Sequence, residues 1–126
     1  MSPEAIEEQD VLSVLNQYVT GYIHADEAML RNVFADDAKM NGYVGDSLVA
    51  GSPERFISRV ANEPPLAEAG QEMRYEISAL SITRNVASAT LKEYDFGGFN
   101  FIDYMHLIKR DGQWKIISKT FSTFCS

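Results

Sequence analysis

An α+β domain, with helices in the first half and an antiparallel meander in the second, is the fold class that this sequence predicts. Three observations carry that expectation. Apolar residues recur every three to four positions in three early segments, each opened by helix-start chemistry. From Met73 onward they alternate at every second position, and the alternation is broken by Gly97-Gly98 and Asp111-Gly112, two-residue turns of the hairpin kind. The chain has 126 residues, 45% hydrophobic and 23% charged, a balance that builds one globular core. A single domain over residues 1–126 follows, its helices packed on one face of a bent sheet.

The first helix starts at Ser2-Pro3-Glu4, where a hydroxyl can accept from an orphan amide, proline suits the first turn and an acid favours the positive end. Its buried stripe is Val11, Leu12, Leu15, Tyr18, Val19, Tyr22 and Ile23, with Glu7, Glu8, Asn16 and Gln17 on the other side. Asp26 caps a shorter second helix carrying Met29, Leu30, Val33 and Phe34, which Asp36-Asp37 stops. Two short strands around a turn are expected between Ala38 and Gly51. Ser52-Pro53-Glu54 opens a third helix with Phe56, Ile57 and Val60 inward, and residues 62–71, with Pro64-Pro65 and Gly70, form a loop. In the next strand the inward set passes from Met73, Tyr75 and Ile77 to Leu80 and Ile82, and that change of parity requires an inserted residue, a β-bulge. Three further strands follow, over residues 86–96, 99–109 and 113–121.

Charge and motif content remove several functions. Eleven Lys and Arg against 18 Asp and Glu leave a net charge of −7, which repels phosphate backbones and anionic membranes, so neither nucleic acid nor membrane is an expected partner. No apolar run is long enough to span a bilayer, and the acidic start MSPEAIEEQD differs from a signal peptide; a cytoplasmic location is expected. One cysteine, Cys125, excludes an intrachain disulfide, and it has no basic neighbour to activate it. Two histidines without helical i, i+4 spacing offer no zinc motif, and no phosphate loop, dinucleotide fingerprint or nucleophile elbow occurs, so neither metal nor cofactor is expected. His24 reads as a cation at a helix carboxyl end, and His106 has the wrong strand parity for the interior.

The segments Tyr18-Val19-Thr20-Gly21-Tyr22, Phe34-Ala35-Asp36-Asp37-Ala38, Phe101-Ile102-Asp103-Tyr104-Met105 and Asp111 to Ile117 together resemble the nuclear transport factor two-like (SnoaL-like, ketosteroid isomerase-like) superfamily. Within it the chain is most similar to the putative lumazine-binding protein family. The resemblance covers nearly the whole chain and implies a cone-shaped, curved antiparallel sheet with the three helices on its concave face. The ketosteroid isomerases of that superfamily pair a helix-one tyrosine and an aspartic acid on an Ile-Asp-x-Met strand as an oxyanion hole. Motif against motif, these roles pass to Tyr18 and Asp103, whereas the isomerase base falls on Gly42, with Asp37 and Asp46 the nearest carboxylates. Gly42→Asp is the substitution that would restore a base there.

Alternation along residues 99–107 sets Asp103 on one face with Phe99, Phe101, Met105 and Leu107, a carboxyl among apolar groups of the kind that marks functional sites. A structural hydrogen bond is the competing role for Asp103, and core packing the competing role for Tyr18. The expected function is binding of a small apolar or aromatic organic molecule with one carbonyl or hydroxyl group. Tyr18 and Asp103 are the expected polar anchors, and also the catalytic candidates should the chain be an isomerase, cyclase or dehydratase acting beside a carbonyl. Phe56, Phe99, Phe101, Met105 and Trp114 are the expected lining. The outward face of Asn100, Ile102, Tyr104, His106 and Ile108 is apolar enough to predict a homodimer.

Overall fold

A computed structural model describes residues 2–69 and 73–125. The elements run α1 (Pro3–Ile23), α2 (Glu27–Val33), β1 (Phe34–Val44), β2 (Ser47–Gly51), α3 (Glu54–Asn62), β3 (Arg74–Thr83), β4 (Val86–Phe96), β5 (Phe99–Arg110) and β6 (Gln113–Phe124). Both expected caps form: the Ala5 amide donates to Ser2 Oγ at 3.2 Å and the Met29 amide to Asp26 Oδ1 at 3.1 Å. α3 starts at Glu54, whose amide reaches Ser52 Oγ at 3.4 Å. The expected loop over 62–71 holds a short 3₁₀ turn at Leu66–Ala69, while its Gly70 and Gln71 lie outside the described residues.

The six strands form one curved, unclosed sheet in the order β2-β1-β6-β5-β4-β3. Two expectations need correction. The sheet is not wholly antiparallel, because β1 runs parallel to β6, pairing Lys39 with Ser118 and Gly42 with Phe121. Alternation along a strand reports which face is buried and is silent on the direction of its neighbour. Phe34 is the first residue of β1 rather than the end of α2, since helical and extended backbones both bury an apolar residue that follows Val33. The turns at Gly97-Gly98 and Asp111-Gly112 have positive φ at both positions, as two-residue hairpins need.

Bulges decide which side chains enter the interior. In β3 the register slips between Ser78 and Ser81, at Ala79 with φ of 53°, where the parity change was expected. A second slip lies in β6, where Leu107 pairs with Ile116 and His106 with Ser118, leaving Ile117 extra. Before it Trp114 and Ile116 point inward; after it Lys119 and Phe121 do. The core is the space between this face and the buried stripes of α1, α2 and α3. No helix among the described residues is long and apolar enough to cross a membrane.

Candidate functional site

A cavity of about 540 Å³ opens between the C-terminal end of α1, α3 and the sheet. Aromatic walls come from four elements: Tyr22 on α1, Phe56 on α3, Phe99 and Phe101 on β5, and Phe121 on β6, with Met40 and Phe96 beside them. The rings meet edge to face in several pairs, Tyr22 with Phe56 at 5.2 Å and with Phe96 at 5.4 Å between centroids. Glu93 and Lys119 are the charged groups of the deep wall, and Arg55, Arg59 and Glu63 lie at the α3 rim. Arg59 is tied loosely to Glu63 at 3.6 Å.

Lys119 is only 4% exposed, yet it makes no salt bridge and no hydrogen bond among the described residues. Its ammonium lies instead over three ring faces, 4.4 Å from the centroid of Phe56, 4.6 Å from Phe121 and 5.1 Å from Tyr18. Cation–π attraction holds the charge where a carboxylate would ordinarily be needed.

Behind the wall sit Tyr18 and Asp103, both 0% exposed. Apart from the contact of Asp103 with the Glu93 carboxyl, Tyr18 Oη, both Asp103 carboxyl oxygens and Glu93 Oε2 lack a hydrogen-bond partner among the described residues. Asp103 faces Leu91 across the β4–β5 ladder and Glu93 faces Phe101, so the two carboxyls are diagonal neighbours on one face. Burial, and then the charge of Asp103 and its hydrogen bond with Glu93, push the Glu93 carboxyl well above its usual range, against the opposing charge of Lys119. Burial also raises the Tyr18 phenol far up, with the charges of Glu93 and Asp103 adding to it, and Tyr22 moves the same way.

Of the residues singled out in the sequence, Phe56, Phe99 and Phe101 line the cavity. Tyr18, Asp103 and Met105 are buried beneath it. Trp114 is elsewhere: its indole Nε1 donates to Glu7 Oε2 at 2.9 Å, at the opposite end of the core near the start of α1. Position along the strand is the reason: Trp114 lies seven residues before Phe121 on β6, roughly 23 Å at about 3.3 Å per residue. Gly42 does face inward, but a Cβ there would lie 2.2 Å from the Phe121 carbonyl oxygen and 2.6 Å from its ring. The isomerase base position is therefore sterically closed, and Gly42→Asp cannot restore it. Asp37 forms a two-pronged pair with Arg110 at 2.8 and 3.2 Å, and neither it nor Asp46 lines the cavity.

Glu93 and Lys119 are the functional candidates absent from the sequence reading. Glu93 was legible, because alternation through Ala87, Ala89 and Leu91 puts position 93 inward. Lys119 was legible only through the passage of the inward apolar set from Trp114 and Ile116 to Phe121, a change of parity that implies a bulge and turns position 119 inward. Among the described residues no three His, Cys, Asp or Glu side chains gather as a metal site would need.

Residues 6–122 match the model of a family described as "Putative lumazine-binding". Among solved structures the chain is similar to an NTF2-like protein of unknown function from Shewanella baltica, 27% identical over 100% of both chains with a TM-score of 0.86. It is similar also to an NTF2-like protein of unknown function from Methylobacillus flagellatus, 26% identical over 99% of this chain and 96% of that one, with a TM-score of 0.82. A putative ketosteroid isomerase from Shewanella frigidimarina shares the fold at 21% identity and a TM-score of 0.60, covering 87% of this chain and 92% of its own. No curated protein matches.

Proposed function

We propose, on the premise that the chain belongs to the "Putative lumazine-binding" family of NTF2-like domains, that the cavity binds a small planar organic molecule. The observation that carries this reading is a cavity with six aromatic rings in its walls and two buried polar groups, Glu93 and Lys119, in its deep wall. Apolar walls with a few converging polar groups are what a ligand site consists of. A protonated Glu93 can donate to a ligand carbonyl, and Lys119 can donate beside it. Tyr18 and Asp103, offered as anchors by the resemblance, act in this reading one layer back, where their volume and charge set the state of Glu93. A titration of flat heteroaromatic carbonyl compounds, lumazine among them, followed by calorimetry and by chemical-shift changes at cavity residues, tests the reading. Saturable shifts at Phe101, Lys119 and Phe121 are expected; Trp114 fluorescence should stay unmoved, because Trp114 is at the other end of the core.

Catalysis beside a carbonyl is the second reading, favoured by one feature: Glu93 is a titratable group on the cavity with a second carboxyl directly behind it. Isomerisation of 3-oxo-Δ5 steroids is not expected, since position 42 carries no base. Turnover of such a steroid that Glu93→Gln abolishes would move this reading to first place. We assign self-association as a two-fold dimer to the outer face of β5, where Tyr104 is 52% exposed; sedimentation of a 14.1 kDa species alone would exclude it. The single, exposed Cys125 supports a reducing, cytoplasmic setting.

A further inference from the structure

The charged groups around the cavity are mostly cations. Lys119 presents an ammonium, Arg55 and Arg59 present guanidinium groups, and Ser52 and Tyr22 present hydroxyls. Of the two carboxyls, Glu63 is engaged with Arg59 at the rim. The other, Glu93, is buried beside Asp103, and two adjacent carboxyls in an apolar setting cannot both stay ionised. A chain of net charge −7 thus surrounds this one cavity with an excess of positive charge. Its deepest cation is the buried Lys119, which makes no salt bridge among the described residues although its charge acts on the Glu93 carboxyl. A buried ammonium that rests on ring faces, with no carboxylate in salt-bridge contact, is open to an entering anion.

We propose that the cavity takes a planar conjugated carboxylate, its rings among Tyr22, Phe56 and Phe101 and its carboxylate seated between the Lys119 ammonium and the Glu93 carboxylic acid. The proposal rests on the reading that the cavity is a small-molecule site and adds the charge and the orientation of the ligand. One oxygen of the ligand accepts from Lys119 and the other from protonated Glu93, while Arg55 and Arg59 at the rim attract the anion as it approaches. A cationic ligand meets like charges and is disfavoured.

The test compares 2-naphthoate with 2-naphthamide, the same ring system without the charge, by calorimetry on the full chain at neutral pH and low salt. Naphthoate is expected to bind at least tenfold more tightly. Lys119→Met should bring the ratio of the two affinities close to one while leaving the amide bound, and the thermal transition of the variant reports that it is folded. Arg55→Gln with Arg59→Gln, two exposed changes, should lower naphthoate affinity two- to threefold further than they lower that of the amide. Equal binding of acid and amide by the unmutated protein overturns the proposal and leaves the small-molecule reading intact. A preference that survives in folded Lys119→Met overturns the seat assigned to the carboxylate. If neither compound nor any member of the heteroaromatic series binds, the small-molecule reading itself falls, and this inference with it.

Discussion

The two ends of the core contain the same kinds of residue in opposite states. At one end Glu7 accepts from Lys109 Nζ at 2.7 Å and from Trp114 Nε1 at 2.9 Å, so that carboxylate, ammonium and aromatic donor satisfy one another. The Lys109 ammonium above all, with help from Trp114, holds the Glu7 carboxyl below its usual range. At the other end Glu93, Asp103, Lys119 and Tyr18 are buried more deeply, yet the phenol oxygen is left without a partner, the two carboxyls have only each other and the lysine rests on rings. A closed polar set contributes stability, whereas an open one sacrifices it and is poised to bind. The lesson is that residue type does not separate a structural cluster from a site; satisfaction of the hydrogen-bonding groups does.

The comparison can be broken or sharpened by substitution, starting with the largest effect. Gly42→Asp forces a Cβ into the Phe121 backbone beside the open cluster and should cost about 3 kcal/mol or more in chemical denaturation; a well-folded variant of unchanged midpoint would show that this wall is soft. Asp103→Leu removes a buried carboxyl whose one partner among the described residues is the Glu93 carboxyl, and should raise stability by about 1–3 kcal/mol, with ligand affinity altered. A loss instead would mean that Asp103 is satisfied in solution, and the contrast between the two ends would fail.

A pH series separates the ends further. Folded Glu93 holds its proton more tightly than the unfolded chain does, so the folded state binds more protons. Its contribution is complete below the ordinary glutamate value of 4.5 and is lost as pH rises from there toward the raised folded value. The slope is at most about 1.4 kcal/mol per pH unit for one group. Glu93→Gln should flatten that decline and leave untouched the acid-side loss that comes from Asp37 and Glu54, whose carboxyls their arginine partners hold low. Urea midpoints between pH 2 and 9 measure this, and an unchanged profile would contradict a protonated Glu93.

Smaller effects belong to single donors. Trp114→Phe deletes the indole donor at the closed end and should cost about 1–2 kcal/mol in bond and volume. Tyr18→Phe deletes a hydroxyl with no partner and should change stability by less than about 1 kcal/mol, without lowering it. Equal losses in the two variants would abolish the distinction.

Helix starts, both hairpin turns and the inward face of β5 were legible in the sequence because each rests on a local rule: a cap three residues from its amide, a turn that needs positive φ, a side-chain period of two. By those rules Asp103 goes to the interior with Phe101 and Met105, and it does. What only the tertiary structure decided is non-local. The parallel pairing of β1 with β6 joins segments far apart in the chain. The backbone of Phe121 fills the space beside Gly42, and the bulge at Ile117 brings Lys119 and Phe121 onto the same inward face as Trp114 and Ile116. Local rules fix which face a residue occupies; where along that face it meets the rest of the molecule depends on register, and register is set by contacts the sequence does not place side by side.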